Sequence, residues 1–260
     1  MGEIVASSRL TRRHLKLAAF SLGAALAVGA ASIPFYSTSV AIQSQPPVSA
    51  QVAEYLAQSK DKPSPQPMKI MAVLGDSFSL DKPDYWHRRA AACINYQPFV
   101  SAVGGSGFAQ PGQNQQPFDF SARVETVATK KPDIIIFATA FNDAAYTEWQ
   151  PEYVKSRTLE TIATYKSRLP EAKIVIMGPF WAVDPLPAKI TNNRDILAAA
   201  AKEAGVTYVD SSTWVRKDED LADNDGQHPT ASGHRLIADN LLAELSESGL
   251  VSPNVECGIK

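Results

Sequence analysis

The amino-acid sequence predicts an α/β protein in which a parallel sheet lies between two layers of helices. After residue 67, short apolar runs alternate with polar segments of helix length. Two runs, Ile134–Phe137 and Ile174–Met177, are apolar at every position, as strands covered on both faces are. The intervening segments are long enough for the crossover helices that parallel strands require. We therefore expect a three-layer α/β/α sandwich.

The apolar runs define five predicted strands. They are Lys69–Leu74, Pro98–Val103, Asp133–Ala138, Lys173–Gly178 and Val206–Asp210. The helix-length segments are Tyr85–Ile94, Phe120–Lys131, Pro151–Leu169, Lys189–Ala204 and Thr230–Leu245. Parallel sheets place their ligand sites beyond the carboxyl ends of the strands, so polar residues that directly follow a strand are the first candidates for function.

Composition and charge indicate which ligands and partners are not expected. The 260 residues are 45% hydrophobic and 20% charged, which suits one globular domain, and we expect a monomer. A net charge of -2 provides no basic field, so nucleic acid is not an expected partner. Cys/His spacings typical of metal sites are missing, and so are nucleotide-binding glycine motifs. We therefore expect neither a metal nor a cofactor.

The first 41 residues have the pattern of an export signal. Arg12-Arg13 precedes an apolar stretch over Leu17–Ile33 and resembles a twin-arginine signal, with Ser39-Val40-Ala41 as a cleavage site. A retained anchor helix is the alternative, because the stretch approaches the ~20 residues that span a bilayer. Both interpretations predict an exported protein, either secreted or associated with the membrane or cell wall through its N-terminus.

The remaining chain divides into three predicted parts. Residues 42–67 are rich in Pro, Gln and Ser and predict a linker, residues 68–250 form the folded domain, and residues 251–260 form a tail. The two cysteines, Cys93 and Cys257, both lie in the exported part. An oxidising compartment would permit a bridge, but a buried thiol and a separate tail thiol explain the pattern equally well.

Gly75-Asp76-Ser77 follows the first predicted strand and contains the candidate nucleophile. At a turn from strand to helix, the Ser77 hydroxyl would be exposed beside free backbone N–H groups. A serine or aspartate that merely caps the helix is the alternative. The motif differs from the Gly-x-Ser-x-Gly elbow of α/β-hydrolases, since Ser79 stands in place of the last glycine.

Asp225 and His228 are the candidate acid–base pair. Their spacing lets the carboxylate reach the imidazole Nδ1 in a tight turn while Nε2 faces outward. The alternative is a polar loop in which Thr230 caps the last helix.

Two segments are candidates for stabilising an oxyanion. Asn142 follows the third strand, where its amide could face a developing negative charge, and Gly104-Gly105-Ser106-Gly107 follows the second strand and allows close backbone approach. Local turn bonds and a flexible loop are the respective alternatives.

Taken in this order, the four segments resemble the SGNH hydrolase superfamily, the GDSL-type esterases and lipases, over about residues 68–247. The resemblance implies a flavodoxin-like sheet with strand order 2-1-3-4-5. It also implies these roles: Ser77 as nucleophile and first oxyanion donor, Gly107 as second donor with Gly105 as alternative, Asn142 as third donor, and His228 as base with Asp225 as its partner. Two positions depart from the family pattern: Ala140 replaces the glycine that normally begins the third block, and Phe78-Ser79 continues the first block.

The resulting hypothesis is an exported serine esterase that hydrolyses acyl or acetyl esters of lipids, glycans or small molecules through an acyl-enzyme. A cell-envelope O-acyltransferase with the same triad is the first alternative, and a non-catalytic envelope or carbohydrate-binding domain is the second. Phe108, Phe180 and Trp181 lie near strand ends, where they would either form a wall for the substrate or belong to the core.

Overall fold

The computed structural model describes residue 52, residues 67–113, residues 118–254 and residue 257. The chain divides into Met1–Lys62 and Pro63–Lys260, and the fold reported below belongs to the second unit. The predicted signal or anchor in residues 1–41 lies outside the described residues, as does nearly all of the predicted linker. None of the described helices combines the length and apolar character that crossing a membrane requires.

Five parallel strands form one sheet in the order β2-β1-β3-β4-β5, which confirms the predicted fold class and strand order. Their bounds are β1 Lys69–Gly75, β2 Tyr96–Ala102, β3 Ile134–Ala138, β4 Lys173–Met177 and β5 Thr207–Val209. Ala102 and Ala138 both pair with Gly75, so β1, β2 and β3 end level with one another. The loops that follow these three strands therefore start at one edge of the sheet.

Six described α-helices connect or flank the strands. They are α1 Trp86–Cys93, α2 Val124–Ala128, α3 Ala144–Thr147, α4 Pro151–Arg168, α5 Ala188–Ala204 and α6 Ala231–Glu247. Short 3-10 turns occur at Ser77–Ser79, Ser121–Arg123 and Lys217–Glu219. The predicted helix from Phe120 is therefore shorter and begins as a 3-10 turn. Strand β2 begins before Pro98, which an edge strand tolerates although proline has no N–H to donate.

The central strands are buried on both faces, which explains their continuously apolar sequence. Because successive side chains of a strand point to opposite faces, Ile134 and Ile136 pack with α1 and α6, whereas Ile135 and Phe137 pack with α2, α4 and α5. All four of these side chains are buried. The two helix layers thus leave the strand ends as the accessible part of the sheet.

A disulfide joins Cys93, at the end of α1, to Cys257. The two Cα atoms are 5.8 Å apart, and the backbone N–H of Asn254 donates to the Cys93 carbonyl at 2.7 Å. The bridge therefore ties the end of the chain to α1, and of the two alternatives that the sequence allowed, the bonded one is present.

We predict that reducing this disulfide lowers the free energy of unfolding by roughly 2–5 kcal/mol, because a bridge over 164 positions restricts the unfolded chain. Urea unfolding with and without a thiol reductant measures the change. The Cys93→Ala/Cys257→Ala double variant is the control and should not respond to reductant. An equal urea midpoint for the oxidised and reduced wild-type protein would contradict the prediction.

Two buried histidines lie between α1 and α6. The His87 Nε2–H donates to the Leu80 carbonyl at 3.1 Å, and the ring of His234 stacks on Tyr85 with centroids 3.8 Å apart. Burial, followed by the nearby His87, Lys82 and His228, lowers the pKa of His234 to about 4. Burial also lowers the pKa of His87. The folded protein therefore holds both imidazoles neutral at pH values where an exposed histidine is protonated.

We predict that His234 makes the fold sensitive to acid. Its lowered pKa contributes stability that is complete above about pH 6.5 and is lost as the pH falls toward about 4, by about 2–3 kcal/mol. The unfolding free energy of the wild type should therefore fall over that interval relative to that of His234→Phe. Asp76 and Asp143 titrate in both proteins and cancel in the comparison. Parallel pH profiles would show that His234 does not titrate on unfolding.

Candidate active site

The turn after β1 presents Ser77 at the sheet edge. The Phe78 N–H donates to Asp76 Oδ1 at 2.9 Å, which caps the 3-10 turn that Ser77 begins. A Cβ atom on Gly75 would lie 2.3 Å from Ser79 Cβ, so only glycine lets the turn fold back this closely on the strand. The Ser77 N–H donates to no described residue, which leaves this backbone donor free at the carboxyl end of β1.

The structure brings Ser77, His228 and Asp225 together from opposite parts of the chain. Ser77 Oγ lies 2.8 Å from His228 Nε2, and His228 Nδ1 is hydrogen-bonded to Asp225 Oδ2. The other carboxylate oxygen accepts the N–H groups of Gln227 and His228 at 2.8 and 2.9 Å. Asp225 therefore organises its own loop and also orients the imidazole, with Nδ1 donating and Nε2 free to accept the serine proton.

Asp225 remains ionised over the whole neutral range. Its hydrogen bond to His228, and then its two backbone hydrogen bonds, lower the pKa of the carboxyl group to about 2. Phe78 supports the imidazole from the other side, with ring centroids 4.9 Å apart. The imidazole is thus held between a charged partner and a buried aromatic ring.

Asn142 lies near the same turn, but its amide already has two partners. Asn142 Nδ2 donates to Asp76 Oδ2 at 2.8 Å and to the Ser106 carbonyl at 3.0 Å. The Ala140 N–H donates to the same Asp76 oxygen at 2.8 Å. The side chain of Ala140, the residue that departs from the family pattern, is buried in the core on the α1 and α6 face.

Asp76 is a buried carboxylate for which the sequence suggested no more than a helix cap. It has no exposed surface and accepts N–H groups from Phe78, Ala140 and Asn142. Burial raises the pKa of Asp76 to about 6, and its backbone hydrogen bonds oppose that rise. One side chain therefore links the nucleophile turn to the loop after β3.

Gly107 and Gly105 differ in whether their backbone N–H has a hydrogen-bond partner. The Gly107 N–H donates to the Gln110 carbonyl at 3.0 Å, so this predicted oxyanion donor has another partner in the structure. Gly105 has a φ of +75°, and its N–H donates to no described residue. The choice between the two glycines therefore stays a prediction, with Gly105 as the unoccupied donor.

Asp143 explains why Gly107 must be glycine. A Cβ atom there would lie 2.5 Å from both Asp143 carboxylate oxygens. Those oxygens accept the N–H groups of the next three residues, Phe108, Ala109 and Gln110, at 2.8, 3.0 and 3.0 Å. Burial raises the pKa of Asp143, and these three hydrogen bonds oppose the rise. Asp143 thus holds the loop after β2 against the loop after β3.

Arg123 is a buried residue at the strand ends, and nothing in the sequence indicated that it would lie there. The residue is only 5% exposed. It donates to the Gly75 carbonyl at 3.1 Å and to Ser106 Oγ at 2.6 Å. Further hydrogen bonds run to the Ser101 and Asp119 carbonyls. The sequence carries no signal for this role because Arg123 lies in a helix-like segment without a motif.

A small aromatic pocket of about 150 Å³ adjoins the Asp225 loop. Its apolar wall consists of Phe78, Phe141, Phe180, Trp181, Ala182 and Val183, and the opposite side is formed by Lys217, Asp225, Gly226 and Gln227. Trp181 Nε1 is buried without a hydrogen-bond partner among the described residues. Phe108 instead packs in the core on the other face of the sheet. Two larger surface pockets, near Pro67 and near Pro83, are lined by none of the three triad candidates.

The described residues contain no group of three or more His, Cys, Asp or Glu side chains arranged to hold a metal ion. The chemistry that the site itself offers is a hydroxyl in contact with a base, together with nearby N–H donors. This combination suits nucleophilic acyl transfer.

Comparison with known proteins assigns the chain to a family. The family model described as "GDSL-like Lipase/Acylhydrolase family" matches residues 73–236, more than half of the chain. A GDSL lipase of Mycobacterium tuberculosis is 27% identical over 192 residues, which cover 68% of this chain and 81% of that lipase.

Solved structures support the same fold. A family two carbohydrate esterase from Clostridium thermocellum, in complex with cellohexaose, has a TM-score of 0.60 at 16% identity over 73% of this chain and 67% of its own. TesA has a TM-score of 0.53 at 18% identity over 69% of this chain and 99% of its own. Identities this low establish the fold alone, whereas the family model covers all four segments that carry the site. The chain therefore belongs to the GDSL-like lipase and acylhydrolase family, within the SGNH hydrolases.

Proposed function

We propose that this protein is an exported serine esterase that hydrolyses carboxylic esters through an acyl-enzyme. The observation that carries the proposal is the hydrogen-bonded series from Ser77 to His228 to Asp225, with 2.8 Å between Ser77 Oγ and His228 Nε2. A hydroxyl in contact with an oriented base is the arrangement that activates serine as a nucleophile.

The reaction proceeds in two halves. Ser77 Oγ attacks the ester carbonyl carbon while His228 Nε2 takes the hydroxyl proton, and the charged Asp225 stabilises the resulting imidazolium. The tetrahedral intermediate then breaks its bond to the alcohol oxygen, which receives the proton from His228. A water molecule repeats the sequence on the acyl-enzyme and releases the carboxylic acid.

The oxyanion is stabilised by the free Ser77 N–H, by a glycine N–H from the loop after β2, and by the Asn142 amide. Asn142 must release one of its present partners for this purpose. The bond to the neutral Ser106 carbonyl is the weaker of the two, because hydrogen bonds to a carboxylate such as Asp76 are stronger. We therefore assign the Ser106-facing N–H of Asn142 to the oxyanion.

Hydrolysis is favoured over acyl transfer by the exposure of the base. The side chains of His228 and Asp225 are 38% and 50% exposed, so water reaches the acyl-enzyme directly. A cell-envelope O-acyltransferase with the same triad would need to exclude that water. Comparing free acid with acylated product in the presence of a sugar or alcohol acceptor separates the two, and dominant transfer would overturn hydrolysis.

Export is supported by two independent features. The N-terminal pattern around Arg12-Arg13 has the form of an export signal, and the Cys93–Cys257 disulfide is a bond that persists in oxidising compartments. Association with the membrane or cell wall would follow if the apolar stretch is retained as an anchor.

The size and position of the aromatic pocket favour a substrate with a short acyl group. The pocket shares Asp225 with the proposed triad, and Phe78 in its wall contacts the His228 ring, so the pocket adjoins the triad. Its volume of about 150 Å³ is close to that of a cavity that holds benzene, a molecule of six carbons. We therefore assign the pocket to acyl chains from acetyl to about hexanoyl.

We predict that Ser77→Ala lowers kcat for p-nitrophenyl acetate or butyrate by about 10⁴-fold or more, since removal of a triad nucleophile leaves only residual stabilisation. Asp225→Asn should lower kcat by a comparable factor. Ser156→Ala, on an exposed helix position, and Asp223→Asn, in the same loop as Asp225, are the matched controls and should retain activity. Ester turnover that survives in Ser77→Ala excludes the mechanism, and a wild type inactive on the whole ester series favours the non-catalytic alternative.

We predict that kcat/KM is highest for acyl chains of about two to six carbons and falls at least about tenfold at about ten carbons, because longer chains exceed the pocket. Trp181→Ala should shift the optimum to longer chains, whereas Trp149→Ala, at an 82% exposed position, should not. Kinetics on p-nitrophenyl esters that differ only in acyl length provide the measurement. An acyl-length optimum that stays the same in wild type and Trp181→Ala would show that the pocket does not hold the acyl chain.

A further inference from the structure

The buried guanidinium of Arg123 contacts both halves of the proposed oxyanion site. Arg123 Nη1 donates to the carbonyl of Gly75, the last residue of β1, two positions before Ser77. Arg123 Nη2 donates to Ser106 Oγ at 2.6 Å, in the glycine loop after β2. A single planar group therefore spans the gap between the nucleophile turn and the glycine loop.

Ser106 is hydrogen-bonded to both Arg123 and Asn142. Its hydroxyl accepts from Arg123 and donates to the Val103 carbonyl at 2.7 Å, while its carbonyl accepts from Asn142 Nδ2 at 3.0 Å. Ser106 is fully buried, so no solvent competes for these hydrogen bonds. Before substrate binds, the position of the Asn142 amide thus depends on where Arg123 holds Ser106, and the amide is already in place when its Ser106-facing N–H turns to the oxyanion.

Burying the Arg123 cation costs free energy of folding. Arg123 forms no ion pair with any described residue, and its direct acceptors are neutral carbonyls and a hydroxyl. Burial accordingly lowers the pKa of Arg123 to about 10, although the group is still protonated at neutral pH. An apolar residue in its place would leave these buried acceptors unpaired, so Arg123 contributes to stability as well as to position. Its rigid fork of donors offers what a lysine cannot, namely several fixed hydrogen bonds in one plane.

We propose that Arg123 is a positioning residue that fixes the Gly75 carbonyl and Ser106 at the separation at which the Ser77 N–H and the Asn142 amide face one oxyanion. The proposal rests on the proposed esterase function of Ser77. It assigns Arg123 no contact with substrate, because four protein acceptors already surround its guanidinium.

The kinetic test compares Arg123→Met with Arg123→Lys and the control Arg157→Met. Arg157 lies nearby and binds Ser121 Oγ, but it does not contact the strand ends. We expect Arg123→Met to lower kcat for a short p-nitrophenyl ester by about 100-fold, the effect of losing one oxyanion donor, with KM changed less than about threefold. Arg123→Lys should restore part of the loss, and Arg157→Met should stay within about twofold of wild type. Titration of Ser77 with a p-nitrophenyl organophosphate normalises kcat to active sites.

The second test does not require activity. In ¹⁵N-labelled protein, the side-chain amide protons of Asn142 should exchange with water faster in Arg123→Met than in wild type or Arg157→Met. Ser106→Ala, which removes only the hydroxyl, should accelerate the same exchange and lower kcat by about tenfold. This variant also decides the question if Arg123→Met does not fold.

A merely structural role gives a different pattern. In that case Arg123→Met lowers the melting temperature, yet each titrated site retains the wild-type kcat and the Asn142 exchange rate is unchanged. That result, or wild-type kcat and exchange in Ser106→Ala, overturns the proposal. If wild-type protein turns over no ester, the proposed function fails, and the Asn142 exchange rates still decide whether Arg123 positions the amide.

Discussion

The buried carboxylate of Asp76 is the constraint on which the rest of the site depends. It accepts N–H groups from the turn that carries Ser77, from the backbone at Ala140 and from the side chain of Asn142. A carboxylate without solvent must satisfy its oxygens internally, so these three groups are held around it at fixed distances. The proposed nucleophile and one proposed oxyanion donor are therefore positioned by a residue that takes no part in the chemistry.

The parallel sheet makes this arrangement available. Because β1, β2 and β3 end in register, the loops that carry Ser77, Ser106 and Asn142 begin at the same height. Asp143 then binds the loop after β2, and Arg123 binds the ends of both β1 and β2. Each of these buried polar groups replaces lost hydration with hydrogen bonds between neighbouring loops, so the loops form a rigid frame above the strands.

His228 approaches this frame from the far end of the sequence. Its loop depends little on the sheet, because Asp225 accepts the local N–H groups and Gly226 adopts a φ of +69°. Such local geometry is encoded within four consecutive residues, which explains why the pairing of Asp225 with His228 was predictable. The same reasoning applies to Ser77, since a strand, a glycine and a capping aspartate are all adjacent in the chain.

The sequence alone was sufficient for the fold class and, through the family resemblance, for the strand order, and it named the residues that are proposed to carry the chemistry, because periodicity and short motifs are local properties. It left open whether Cys93 and Cys257 are joined and which glycine has a free N–H, and it gave no indication of Arg123 or of the role of Asp143. Only the tertiary structure decided these matters. Disulfide geometry and buried hydrogen bonds depend on atoms that are distant in the chain and meet only when the sheet and its two helix layers have formed.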